Sequence, residues 1–122
     1  MAGEKNVFNN PNWQVRGNVY QIAGDLVLTP ESSRMDFARA VEIVRAELTA
    51  AQGIDEPARR ELTDQLSQTA AEARTPKPDK DTITSGLTRT RDRLRALGGA
   101  ASAVLDVATK VGDLLSWASE AL

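Results

Sequence analysis

The feature that most constrains this chain is an abrupt change of composition near Thr29. All five Asn residues (Asn6, Asn9, Asn10, Asn12, Asn18) fall within the first 18 positions, and three of the five aromatics (Phe8, Trp13, Tyr20) fall within the first 20. Only four charges, Glu4, Lys5, Arg16 and Asp25, precede Thr29, and the remainder of the 122 residues is rich in Ala, Leu, Arg and Glu. Asn, Val, Ile and aromatic side chains suit turns and strands, whereas the later mixture suits helices. The expected fold class is therefore α+β: a β-rich head at residues 1–29 and a helical bundle at residues 30–122.

Inside the head, Trp13 to Arg16, Val19 to Ala23 and Leu26 to Leu28 are short apolar or alternating runs separated by Gly17-Asn18 and Gly24-Asp25. Gly followed by Asn or Asp is a two-residue hairpin signal, because the first central residue takes a positive φ. A short three-stranded β-meander over residues 12–29 follows. Its register pairs Arg16 with Val19, Val15 with Tyr20, Trp13 with Ile22, Ile22 with Val27 and Ala23 with Leu26. One face then carries Trp13, Val15, Tyr20, Ile22 and Val27, and the other carries Gln14, Arg16, Val19, Gln21, Ala23, Leu26 and Leu28. Three short strands bury little by themselves, so this sheet needs a cover.

The body reads as helices divided by clear breakers. Thr29-Pro30-Glu31 resembles a helix start, with Ser33 a later capping option, and Phe37, Val41, Val44, Leu48 and Ala51 follow on one stripe until Gly53. Asp55-Glu56-Pro57 opens a second helix with Leu62, Leu66, Ala70 and Ala73 inward, stopped at Thr75-Pro76-Lys77-Pro78. Asp79 caps a third, with Ile83, Leu87, Leu94 and Leu97 aligned. Gly98-Gly99 permits either a tight turn into a fourth helix or one long bent helix. The last stripe holds Val104, Ala108, Val111, Leu115, Ala118 and Leu122, widened by Leu105, Leu114 and Trp117. Short connections favour antiparallel neighbours, hence a three- or four-helix bundle.

The chain contains no Cys and no His, which removes disulfides, Cys/His metal sites, thiol nucleophiles and imidazole bases. Carboxylates at Asp55/Glu56 and Asp79/Asp81 stand at predicted helix starts and read as caps, and Asp106, Lys110 and Asp113 read as an ion-pair ladder along the last helix. The spacing matches no calcium loop and no phosphate-cradling glycine motif. No catalytic residue, metal or cofactor is expected, and the chain reads as non-enzymatic. Its 15 Lys+Arg against 17 Asp+Glu give a net charge of -2, with no global pull toward nucleic acid. Arg89, Arg91, Arg93 and Arg95 form the densest basic stretch. On a helix they fall in two stripes, so a polyanion-binding patch there is an alternative reading rather than the leading one. No basic leader followed by an apolar core opens the chain, and the apolar stretch from Ala100 to Leu122 is interrupted by Asp106, Lys110, Asp113 and Glu120. No membrane span is expected, and the cytoplasm is the expected compartment.

The segment from Asn12 to Leu28 combines β-propensity, few charges, Gln and Asn suited to ladders, and no proline. These properties favour edge pairing and stacking between copies. At Gln14-Val15-Arg16-Gly17-Asn18-Val19-Tyr20-Gln21-Ile22-Ala23-Gly24-Asp25 the chain resembles N-terminal motifs of small actinobacterial proteins associated with NLR-like conflict systems. It is also loosely similar to the RHIM-like amyloid signalling motifs, although Arg16 interrupts the order of apolar, Gln and Gly residues seen there. The resemblance implies a homo-oligomerising adaptor or scaffold whose partner is itself, with an effector or adaptor protein as a further partner. Self-association is then expected through Trp13, Val15, Val19, Tyr20, Ile22 and Val27. A structural component of a shell, tube or filament is the other reading of the same head.

Overall fold

The computed structural model describes residues 19–24, 26–98 and 102–122. The expected first strand around Trp13 to Arg16, the Gly17-Asn18 turn and the link at 99–101 lie outside these residues. The described elements run β1 (Tyr20–Ala23), β2 (Leu26–Leu28), α1 (Arg34–Ala50), α2 (Glu56–Ala73), α3 (Lys80–Gly98) and α4 (Ser102–Ala121). Among the described residues the class is α+β, with four helices and a two-stranded antiparallel sheet; these residues form a hairpin and not a three-stranded meander.

Two of the helices begin at a side chain that accepts from the first-turn amides, α1 at Ser33 and α3 at Asp79. Ser33 rather than the Thr29-Pro30 step starts α1: its side chain accepts from the Asp36 amide at 3.1 Å while the Asp36 carboxylate accepts from the Ser33 amide at 3.1 Å, a reciprocal capping box. Thr29 to Ser32 is diverted into a turn in which the Ser32 amide donates to the Thr29 carbonyl at 3.0 Å and the Thr29 amide donates to Ser32 Oγ at 2.9 Å. Asp55 precedes α2 without a side-chain cap bond. Asp79 accepts from the Asp81 amide at 3.0 Å and from the Thr82 hydroxyl at 2.9 Å at the head of α3. The hydrogen bond from Thr82 holds the Asp79 carboxyl below its ordinary pKa.

The helices contact in a ring, α1 on α2, α2 on α3, α3 on α4 and α4 on α1. Because α3 packs along α4, the two are neighbouring helices and not one long bent rod. The stripes read from periodicity meet in a single buried cluster with Phe37, Val41, Val44, Leu48, Leu62, Leu66, Ile83, Leu87, Leu94, Val104, Val111, Leu114 and Trp117 among its members. Leu105 departs from expectation and is 40% exposed. Where α2 meets α3, side chains of α2 occupy the space over Gly86: a Cβ there would lie 2.7 Å from Gln65 Nε2 and 2.9 Å from Thr69 Oγ1. The buried hydroxyls of Thr69 and Thr90 are satisfied by the carbonyls one turn earlier, at 3.0 and 2.9 Å.

The β-hairpin leans on α1 and α4. Ala23 pairs with Leu26 as the two-residue loop requires, and Gly24 in that loop has φ +49°. The next pairs are Gln21 with Val27 and Tyr20 with Leu28, so Ile22 is an extra residue and the expected Ile22–Val27 pairing does not form. The bulge resolves a conflict in the sequence. Unbroken alternation from the loop would place Ile22 and Leu28 on opposite faces, whereas the extra residue turns both toward the bundle. Ile22 is 1% and Leu28 0% exposed, and both belong to the core cluster of the helices.

Candidate interaction surface

The hairpin has two unlike sides. Its inner side is closed on the chain's own helices by Ile22 and Leu28, with Tyr20, Ala23 and Leu26 packed at the margin. Two polar contacts fix it there. The Tyr20 hydroxyl donates to Glu120 Oε2 at 3.0 Å, and Trp117 Nε1 donates to the Thr29 carbonyl at 2.7 Å just beyond β2. Trp117 is itself stacked on Phe37, with ring centroids 5.0 Å apart and planes inclined by 16°, so the hydrogen-bonded indole joins α4, α1 and the end of β2.

The outer side is different in kind. Gln21 and Val27 form its paired row, and Val19, two residues before Gln21, continues that face by alternation. Val19 is 49% and Val27 37% exposed. From Val19 to Leu28 the only charge in the sequence is Asp25, between the strands. Val27 thus leaves the face on which alternation had put it with Tyr20 and Ile22, because the bulge reverses the relation between the strands.

Of the residues expected to mediate self-association, Trp13 and Val15 lie outside the described residues. Ile22 serves the core of its own chain, Tyr20 is half-buried against Glu120, and Val19 and Val27 face outward. The outward pair could be located only after the bulge was known, and nothing in the alternation of residues signals a bulge.

The arginines of α3 occupy two sides of that helix. Arg89 Nη1 donates to Gln65 Oε1 at 3.1 Å and Arg93 pairs with Glu61 at 3.4 Å, both toward α2. Arg91 pairs with its neighbour Asp92 at 3.0 Å, and its stem lies against α4, where a Cβ on Gly112 would be 3.7 Å from Arg91 Cδ. Arg95 is exposed near the end of α3. Three guanidinium groups therefore have separate partners, with Arg89 and Arg93 lining one small cavity on the α2 side and Arg91 lying toward α4. An open polar groove of about 400 Å³ lies between α2 and α3, lined by Gln65, Gln68, Asp81, Thr82, Ser85 and Arg89 over Gly86.

Two further arrangements escaped the sequence reading. Arg59, in the first turn of α2, reaches back over the α1–α2 connection: its Nη1 donates to the carbonyls of Leu48, Thr49 and Ala51 at 3.2, 2.8 and 2.6 Å. Its Nη2 donates to Ile54 O at 2.9 Å. One guanidinium so satisfies carbonyls at the C-terminal end of α1, where no basic residue occupies the last turn. Lys110 does not form a ladder with Asp106 and Asp113 but crosses to Glu47 of α1 at 2.8 Å. Asp113, half-buried without that lysine, has its pKa raised by desolvation.

Among the described residues no three acidic side chains gather to hold a metal ion, and no helix is long and apolar enough to cross a membrane. No family model, curated protein or solved structure matches the chain.

Proposed function

We propose that this protein is a non-enzymatic scaffold or adaptor that associates with copies of itself through its N-terminal β region. The observation that carries the reading is the division of the hairpin: one side is committed to the helices of its own chain, while the other presents Val19 and Val27 on an uncharged face. An aliphatic strand surface free of Asp, Glu, Lys and Arg lacks the usual devices that keep β elements from associating. In the sequence, Trp13-Gln14-Val15 before it is also uncharged, with Arg16 the charge between the two stretches. The resemblance of this region to conflict-system and RHIM-like motifs fits an assembly role and suggests a bacterial signalling setting. A shell, tube or filament component would use the same contact in an open arrangement.

Sedimentation of the intact chain over a wide micromolar range tests this. The expected result is a concentration-dependent shift from monomer to a larger species. A monomer at every concentration removes the proposal.

A further inference from the structure

The groove between α2 and α3 shares no residue with the hairpin, and its construction leads to one side chain. Gly86 is buried within α3, although glycine is a poor helix former. Its missing side chain leaves the space that Gln65 and Thr69 fill. Seated there, Gln65 accepts from Arg89 Nη1 at 3.1 Å through its Oε1. The guanidinium is thereby held by one end of its fork, and among the described residues no acceptor takes its Nε or Nη2. Arg89 and Gln65 line both the open groove of about 400 Å³ and the adjoining cavity of about 60 Å³. The other charges on that cavity, Glu61 and Arg93, are paired at 3.4 Å and offset one another, so Arg89 is the cation left over.

We infer that this groove binds a small hydroxylated oxyanion, a carboxylate or phosphate carried on a polyol body, with Arg89 as its anchor. The Nε/Nη2 edge of a guanidinium offers two parallel N–H donors whose spacing matches two oxygens of such a head. Beyond the anchor the walls carry hydroxyl and amide groups. Ser85 lies one turn before Arg89 on α3 and Gln68 stands on α2, and neither is bonded to another described residue. Asp81 lies eight residues before Arg89, about 12 Å along the helix, and supplies acceptors at the far end of the groove. A second anionic group there would be repelled, whereas hydroxyls can donate to Asp81 and exchange hydrogen bonds with Ser85 and Gln68. The groove falls within the roughly 300–1,000 Å³ of small-molecule sites, and its polar lining selects a hydroxylated body over an apolar one.

NMR titrations at fixed pH and ionic strength, following the arginine Nε–H and glutamine side-chain amide signals, test this. The probes are glucose 6-phosphate against inorganic phosphate, and gluconate against acetate. The expected result is saturable shifts at Arg89 and Gln65, with at least one polyol compound binding severalfold more tightly than its bare anion; the tighter of the two names the head group. Arg89→Gln should weaken that binding by roughly tenfold or more, where tenfold corresponds to about 1.4 kcal/mol. Arg95→Gln, at an exposed arginine of the same helix that does not line the groove, should bind as wild type. Gly86→Ala keeps the guanidinium but pushes aside the flexible end of Gln65, and should weaken binding severalfold at a melt close to wild type. Absence of saturable shifts, equal losses in Arg89→Gln and Arg95→Gln, or polyol compounds no tighter than their bare anions would overturn the site. Unchanged affinity in Gly86→Ala would overturn the positioning of Arg89 through Gln65.

Discussion

The hairpin and the helical ring are held by different means. Each helix of the ring is specified locally, by a stripe of apolar residues and by breakers at its ends, and meets two neighbours along its length. The hairpin has two short strands, places Ile22 and Leu28 in the core, and is fastened by Tyr20 to Glu120 and by Thr29 to Trp117. A two-stranded sheet of this size is marginal in water, so its order is supplied by the bundle. That dependence teaches where function can lie. The side of the hairpin that keeps it folded is closed, and only the side that contributes little to stability is free to meet something else.

The largest expected effect breaks the hairpin from within. Ile22→Ala removes a fully buried side chain from the shared core and should cost about 2–4 kcal/mol, read as a lower denaturant midpoint in chemical unfolding. If the loss were a few tenths only, the hairpin would not be integral to the core. Next comes a change confined to the ring. Arg59→Ala withdraws the guanidinium from four carbonyls and should destabilise by about 2 kcal/mol, with faster amide exchange at the end of α1 and unchanged exchange in the hairpin. Arg59→Lys should recover little, because an ammonium cannot match the reach and fork of a guanidinium.

Smaller still, Ser33→Ala disrupts the capping box where hairpin and bundle join and should cost about 1 kcal/mol by thermal or denaturant melts. The smallest effect is one of pH. Asp113 has a raised folded-state pKa, so its ionisation opposes folding: the cost is absent below its unfolded pKa and grows as pH rises through the carboxylate range. Asp113→Asn should therefore stabilise the protein slightly at neutral pH, with the gain fading in acid. Glu42 has the opposite sign. Its pKa is lowered chiefly by the hydrogen bond from Arg74, so its contribution is present at neutral pH and is lost as pH falls through its folded pKa. Melts of wild type and Asp113→Asn across the acid range separate the two.

What the sequence disclosed follows from how local each signal is. Helical stripes such as Phe37–Val41–Val44–Leu48 repeat a short period and are flanked by Ser33 and Gly53, so both their existence and their buried side are legible. The loop pairing of Ala23 with Leu26 is equally local, being set by two residues. The bulge at Ile22 is not local. It arises because Ile22 and Leu28 must both reach the helices, a demand that exists only once α1 and α4 are in place, and it is what turns Val27 outward. Long charged side chains show the same limit. Lys110 stands one turn from both Asp106 and Asp113, yet it finds Glu47, and Arg59 clamps a connection with which it shares no periodic relation. The candidate surface was therefore legible as a region and not as a face.

Val27 and Leu28 are neighbours on one strand and point to opposite sides of it, so they test the account most directly. Val27→Asp and Leu28→Asp, each compared with wild type by circular dichroism melting and by sedimentation, should behave in opposite ways. The account predicts that Asp at 27 leaves the melt close to wild type while weakening association, and that Asp at 28 collapses the melt itself. Loss of fold at 27, or association unaffected by charge at 27 in a protein that does associate, would contradict it.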